Sequence, residues 1–260
     1  MCNNNYEKWF IGFSEGDASW SIVKRSSKLV PVFTINQKDP KILYKIKSFL
    51  GFGSVKGPYQ NKNNPNKYYR YYVSGVTEHT RKLIEIFNGN LILKKTQKRF
   101  ENYVAAYNNL IDPSQRIVLK KPTKTKISLK NGWLSGFIDA EGCFIGHMRK
   151  DHSRGSIKMI LGQTDEETVL RNLNKLLVGS YLTKPNVRKH IVLTVARESS
   201  RAFLIEYLDK YPLKSSKQIA FTRFKKLHTR FTDGLFKWRL LQPKSKARIA
   251  RLIQNINTDL

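Results

Sequence analysis

The sequence predicts an α+β protein of two pseudo-symmetric repeats of the order αββαββα. Each repeat is expected to form a curved antiparallel sheet of four strands with its helices on one face. Three observations lead there. A twelve-residue phrase occurs twice, as Trp9-Phe10-Ile11-Gly12-Phe13-Ser14-Glu15-Gly16-Asp17-Ala18-Ser19-Trp20 and as Trp133-Leu134-Ser135-Gly136-Phe137-Ile138-Asp139-Ala140-Glu141-Gly142-Cys143-Phe144. The same succession of alternating and helical-period segments follows each copy. A Pro-, Lys- and Thr-rich stretch separates the two halves. A phrase that recurs in register is a stronger signal than either copy alone.

Each phrase reads as a short apolar helix that gives way to a strand. Gly12 and Gly16 are four apart and share a helix face, as do Gly136 and Ala140. Glycine inside a helix costs about 1 kcal/mol relative to alanine, so its repeated use points to close backbone packing, and two such helices can pack on each other. Counted from Phe10 and Leu134, where each motif begins, acids stand at the sixth and eighth positions, Glu15 and Asp17 in one copy and Asp139 and Glu141 in the other. Asp17 and Glu141 fall at helix C-termini, where the macrodipole disfavours negative charge. Helices crossing through their small faces would also bring these two acids together, and like charges repel. Divalent cations between them would resolve the conflict, and paired carboxylates holding Mg²⁺ suit in-line phosphodiester hydrolysis. Two exposed helix-end acids would be simpler, but would leave the duplication unexplained.

The remaining elements follow from period and punctuation. Ala18 to Arg25 alternates as a half-buried strand should, with Trp20 and Ile22 on one face and Ser19, Ser21 and Arg25 on the other. Leu29 to Gln37 predicts a second strand, with Val32, Thr34 and Asn36 sharing a face. Asp39-Pro40 opens a helix through Leu50, with Asp as N-cap and Pro at the first position. Its apolar stripe is Leu43, Ile46, Phe49 and Leu50. Gly51-Phe52-Gly53 is a turn. Strands are expected at Ser54–Lys56 and Lys67–Ser74, joined by a polar loop from Gln60 to Asn66, with Tyr68, Arg70 and Tyr72 on one face. Helices follow from about Thr77, carrying Leu83, Ile84 and Phe87, and from about Thr96 to Asn109, carrying Phe100, Tyr103 and Val104.

These spans set the expected organisation as a first repeat over 1–110, a basic linker over 111–130, a second repeat over 131–230 and a C-terminal helical tail over 231–260. The linker is read from Asp112-Pro113, Pro122 and the Lys/Thr run. The second repeat is expected to place strands at Cys143–Lys150 and Ser156–Gln163, a helix at Asp165–Leu177, strands at Ser180–Lys184 and Val187–Arg197, and helices at Ser199–Asp209 and Ser215–Thr229. In the tail, Ile249, Leu252 and Ile253 mark one more helix.

Composition narrows the function classes. The 260-residue chain is 40% hydrophobic and 12% aromatic, a globular balance, and carries a net charge of +29. That excess calls for a polyanion, and nucleic acid is the first candidate. No long uncharged apolar run is present for crossing a bilayer. Cys2 and Cys143 are the only cysteines and form no disulfide framework, which suits a reducing intracellular setting. The N-terminal segment has neither an apolar signal core nor an Arg-rich transit pattern. The outward strand faces are rich in Ser, Thr, Arg, Lys, His and Tyr, and strands can enter the major groove. The contact candidates are Ser19, Ser21, Arg25, Thr34, Lys56, Tyr68, Arg70 and Tyr72 in the first half. In the second they are His147, Arg149, Lys158, Lys184, Arg188 and His190.

The two phrases resemble the signature motifs of the LAGLIDADG homing endonucleases, in the single-chain form with two motifs. The second phrase is close to the family pattern. The first has Ala18 in place of the usual glycine and Ser14 where an aliphatic residue is common. The resemblance implies a DNA-binding saddle with the motif helices at the interface of the repeats. It implies a monomeric, site-specific endonuclease that makes a double-strand break in a long, non-palindromic duplex and leaves 3′ overhangs. Asp17 and Glu141, with the following Ala18 and Gly142, would hold two or three divalent ions, Mg²⁺ with Mn²⁺ or Ca²⁺ able to substitute. Gln37 and Gln163 would line the metal and water pocket. Lys98 and Lys217 would stabilise developing charge, with Lys95 and Lys214 as the nearest rivals. An organellar, mitochondrial setting and an intron-encoded gene are likewise implied. An RNA-splicing maturase, with intron RNA as partner, is the alternative on the same fold.

Overall fold

The computed structural model describes residues 2–61, 64–121, 127–149, 155–232 and 242–258. Pro122 with the Lys/Thr run after it, Lys150, the middle of the expected 60–66 loop and much of the tail's first part lie outside the described residues. The chain divides into two compact units, Met1–Ala140 and Glu141–Leu260.

The first unit opens with α1 (Cys2–Asp17). It is longer than the motif alone suggests, because the polar N-terminal segment continues the same helix. There follow β1 (Ala18–Arg25), β2 (Lys28–Gln37), α2 (Lys41–Leu50), β3 (Ser54–Asn61), β4 (Asn64–Ser74), α3 (Glu78–Phe87), α4 (Lys94–Asn108) and a 3₁₀ turn at Pro113–Gln115. The helix α5 (Trp133–Glu141) runs into the second unit, which continues with β5 (Gly142–Met148), β6 (Gly155–Thr164), α6 (Glu167–Leu176), β7 (Tyr181–Leu182), β8 (His190–Val195), α7 (Glu198–Lys210), α8 (Lys217–Thr232) and α9 (Pro243–Gln254). Each repeat therefore carries two helices after its last strand, as the element-by-element reading placed them and one more than the αββαββα order counts.

Both sheets are four-stranded and antiparallel, in the orders β1-β2-β4-β3 and β5-β6-β8-β7. Register places Trp20 opposite Phe33 and Phe33 opposite Val73, while Ser19 faces Thr34 and Thr34 faces Tyr72. Alternation along each strand thus splits an apolar face from a polar one. The apolar face of the first sheet packs mainly through aromatic rings. Trp20 lies 4.6 Å from Phe33, 4.7 Å from Phe87, 5.1 Å from Phe100 and 5.1 Å from Tyr103, centroid to centroid. The Phe33 ring is tilted to the indole and the other three meet it edge-on, a favoured arrangement for aromatic pairs. The second unit uses an aliphatic core, including Met159, Leu161, Leu170, Leu193 and Leu204, around Phe144, Phe221 and Phe224.

Several local expectations shift by a residue or two. Asp39 Oδ1 accepts the Lys41 N–H at 2.9 Å, so the acid sits two residues before the helix and Pro40 takes the cap position. Thr77 caps α3 by accepting the Thr80 N–H at 3.2 Å. The 54–56 and 67–74 strands extend to Ser54–Asn61 and Asn64–Ser74. By contrast, the expected 180–184 and 187–197 strands shrink to Tyr181–Leu182 and His190–Val195. Asn186 Oδ1 accepts the N–H groups of both Arg188 and His190 and folds the intervening residues into a turn.

Residues 111–121 are held against the first unit's helices. Asn88 donates to the Val118 carbonyl and accepts the Lys120 N–H, and Asn108 makes the matching pair with Ile117. Each asparagine imitates a strand partner for this segment. In the second unit α9 packs on β5 at Gly146, where a Cβ would meet Ile253 Cγ2 at 2.9 Å. Asn257 Nδ2 donates to the Phe144 carbonyl at 2.7 Å, covering part of the sheet edge at β5.

The α7–α8 contact contains a titratable pair. Arg201 Nε donates to His228 Nδ1 at 3.3 Å, so that nitrogen must be the unprotonated one. Burial, then the Arg201 charge, lowers the His228 pKa, with Glu198 opposing. The folded state therefore binds this proton less readily than the unfolded chain. Stability from this pair is complete above about pH 6.5, the ordinary histidine value, and declines as pH falls below it. Melting temperature measured from pH 8 to pH 5 should fall over that window, and His228→Gln should flatten the fall.

Candidate functional site

The motif helices meet at backbone distance. A Cβ on Gly12 would lie 2.9 Å from the Trp133 carbonyl carbon and closer still to its oxygen. A Cβ on Gly136 would lie 2.8 Å from the Trp9 carbonyl carbon and 2.8 Å from the Phe13 nitrogen. Gly132, one turn earlier, meets the Asn5 carbonyl in the same way. Close packing is therefore centred on Gly12 and Gly136.

That contact carries two reciprocal hydrogen bonds. Trp9 Nε1 donates to Asp139 Oδ2 at 2.8 Å, and Trp133 Nε1 donates to Glu15 Oε2 at 2.7 Å. Each tryptophan immediately precedes its own motif and reaches the sixth-position acid of the other. Glu15 Oε1 also accepts the N–H groups of Ile92 at 2.7 Å and Leu93 at 2.6 Å. A carboxylate there satisfies donors at the start of α4 and suits its positive helix end. Both acids are only 3% exposed. The sixth-position acids are thus structural. The signal available in the sequence was a tryptophan one residue ahead of each motif. Trp133→Phe removes one charged hydrogen bond from buried Glu15 and should cost about 1.5–3 kcal/mol, read as a lower denaturant midpoint. Unchanged stability would deny the bond that weight.

The eighth-position acids behave differently. Asp17 and Glu141 are the last residues of α1 and α5 and both are half-buried. Gln37, the last residue of β2, donates from Nε2 to Asp17 Oδ2 at 2.7 Å. That bond orients the carboxylate. Gln163 occupies the corresponding place in β6 and is 3% exposed. Ala18 and Gly142 begin the strands that follow each acid. Among the described residues no group of three or more His, Cys, Asp and Glu side chains forms a metal cluster. Mg²⁺ is commonly bound through one or two carboxylates, with water and substrate phosphate completing its shell. The hard oxygen donors here fit that chemistry.

The basic candidates separate by face. Lys217 opens α8, is half-buried, and lies four residues before buried Phe221, on the same helix face. In α4 the residue four before Phe100 is buried Thr96, whereas Lys98 lies two before it on the outer face and is exposed. Lys95, beside Thr96, is half-buried. Lys98 and Lys217 thus differ in exposure, while Lys95, three residues before Lys98 and its neighbour on the α4 surface, is half-buried like Lys217. Lys214 precedes α8 and is half-buried.

The contact candidates fall into two groups. Ser19, Ser21, Arg25, Thr34, Lys56, Tyr68, Arg70 and Tyr72 share the polar face of the first sheet by register. Lys56 Nζ lies 5.1 Å from the Tyr72 ring centroid. The hydrogen bond between them raises the lysine pKa and lowers that of the phenol. On the second sheet His147, Lys158 and His190 share the corresponding face. Arg149 lies just past β5, while Lys184 and Arg188 lie in the β7–β8 connection, off the sheet. Register adds Asn36, Ser54, Tyr59, Ser156, Thr164 and Tyr181 to these faces.

Comparison with known proteins agrees with this architecture. The family model described as LAGLIDADG endonuclease matches residues 10–107 and 134–228, one match per repeat. Among curated relatives, the chain is 28% identical over 257 residues to "Probable intron-encoded endonuclease 4" of Neurospora crassa, covering 97% of this chain and 44% of the relative. It is 27% identical over 215 residues to "Probable intron-encoded endonuclease Cox1-I1b" of Schizosaccharomyces pombe, covering 73% of this chain and 54% of the relative. The chain thus spans about half the length of these relatives. Among solved structures, the LAGLIDADG homing endonuclease I-GzeII in complex with its DNA target superposes with a TM-score of 0.72 at 17% identity, covering 96% of this chain and 98% of that one. The meganuclease I-AabMI bound to uncleaved DNA gives 0.73 at 20% identity, covering 96% and 99%. I-SmaMI bound to uncleaved DNA in the presence of calcium ions gives 0.73 at 18%, covering 96% and 98%. With both motifs matched, both repeats aligned and the fold shared, this chain belongs to the LAGLIDADG endonuclease family.

Proposed function

We propose that this chain is a site-specific, metal-dependent endonuclease that makes a double-strand break in a long duplex. The observation that carries the reading is the backbone-close packing of α1 on α5, with a half-buried acid ending each helix. That acid placement is unfavourable for the helices themselves, and a bound cation would offset the cost.

Asp17 and Glu141 hold the divalent ions through their carboxylates, with the Ala18 and Gly142 backbone beside them. Bound Mg²⁺ supplies Lewis-acid activation of water and stabilises the leaving 3′ oxygen. Gln37 keeps Asp17 oriented, and Gln163 takes the same part for Glu141. Lys98 and Lys217, with Lys95 and Lys214 as their nearest rivals, stabilise negative charge that develops on the phosphate. The polar sheet faces bind DNA, and the +29 charge makes that binding fall steeply with salt.

The two sheets present different side chains, so the target is non-palindromic. The cut leaves 3′ overhangs and the working form is a monomer. The relatives' description as intron-encoded supports an organellar setting. Incubating the chain with a randomised duplex library, with and without Mg²⁺, tests the reading. Sequence-dependent double-strand cuts in the Mg²⁺ arm alone are expected, and no cutting in either arm rejects it.

A further inference from the structure

We infer that Arg70 reads a guanine in the part of the target engaged by the first sheet. This rests on the nuclease reading and adds which base is required and which group recognises it. Arg70 lies on the polar face of β4, and groups from three strands hold its guanidinium. Its Nε donates to Asn36 Oδ1 on β2 at 2.9 Å. Its Cζ lies 5.4 Å from the ring centroid of Tyr59 on β3 and 5.8 Å from that of Tyr68 on β4. Nη2 is 3.5 Å from the Tyr68 hydroxyl.

Tyr59 reaches this face through a bulge. Lys56 pairs with Arg70 but Tyr59 pairs with Tyr68, so β3 spends one extra residue there. The extra residue turns a side chain that would otherwise face the helices outward. Gly57 within the bulge has a φ of +135°, and a Cβ there would meet the Tyr68 carbonyl oxygen at 3.0 Å.

A fixed guanidinium plane suits bidentate recognition of a phosphate or of a base edge, and the place of Arg70 on the polar face of a sheet whose strands can enter the major groove favours the base edge. Here Nε is committed to Asn36 and one Nη2 N–H to the Tyr68 hydroxyl, which leaves the second N–H of Nη2 and those of Nη1 as a fork for a base edge. That pair of donors matches O6 and N7 of guanine in the major groove, whereas adenine offers a donor in place of O6. Asn36 is then a positioning residue, with its carbonyl given to the arginine. In the second sheet the residues corresponding to Asn36 and Arg70, each counted from the matching glutamine, are Gly162 and Val192. Neither offers such a fork, so the guanine requirement belongs to one half of the target only.

The test is cleavage of a randomised duplex library in Mg²⁺, with the cut sequences read for the parent, Arg70→Ala, Arg70→Lys and Asn36→Ala. The parent should require guanine at one position, with other bases there cut about 10–100-fold less. Arg70→Ala should abolish that one preference and leave the other positions unchanged. Arg70→Lys should fail to restore it, and Asn36→Ala should narrow it without changing the base. If Arg70→Ala slows cutting equally on every sequence with all preferences intact, Arg70 is a phosphate contact and the proposal fails. It also fails if Arg70→Ala and Asn36→Ala both keep the parental profile, or if the Lys variant matches the parent. A parent that cuts nothing rejects the nuclease reading itself, a result distinct from these.

Discussion

Glu141→Gln is expected to bind target DNA as the parent does and to lose cleavage by on the order of 10³-fold or more, at least ~4 kcal/mol of barrier. Glutamine keeps the size and one oxygen donor of the side chain but removes the charge that holds a hard cation. On the proposed reading, binding is spread over the polar sheet faces and does not depend on one helix-end acid. The same substitution should leave the metal-free protein as stable as before, or more stable by about 0.3–1 kcal/mol, because a negative charge leaves the negative end of α5. Opposite signs for activity and stability distinguish a functional acid from a structural one. Parental cleavage rates in this variant would remove Glu141 from the chemistry.

Gly136→Ala should be strongly destabilising. The added carbon has no room beside the Trp9 carbonyl and the Phe13 nitrogen, and both are backbone atoms that cannot rotate aside. Separating the helices to admit it would also stretch the Trp9–Asp139 and Trp133–Glu15 bonds. A loss of about 3–5 kcal/mol is expected, or roughly 10 °C in melting temperature for a unit of this size. Gly51→Ala is a useful contrast. It carries a left-handed φ of +75° with open space around it, so only conformational strain opposes the methyl. A Gly136→Ala chain that melts with the parent would mean the helices do not pack as described.

Much of this was legible in the sequence because the relevant signals are local. Period-two alternation separated Trp20 from Ser19 and Ser21, and register confirmed the split. The repeated glycines announced a close helix contact, and Gly12 and Gly136 make it. Local signals misled where long-range contacts decide. Lys184 and Arg188 sit in strand-like sequence, but Asn186 folds that stretch into a turn.

The sequence by itself determined the duplication, the strand faces, the acids that end the motif helices and the demand for a polyanion. Each of these depends on residue type and spacing within a dozen positions. Only the tertiary structure decided what these acids meet. Glu15 and Asp139 are satisfied by indole N–H groups more than a hundred residues away, whereas Asp17 meets Gln37 across a strand. It also decided that Arg70 is a held rather than a free guanidinium. One inserted residue in β3 changes which face Tyr59 joins, and spacing within a single strand cannot show an insertion relative to its neighbour.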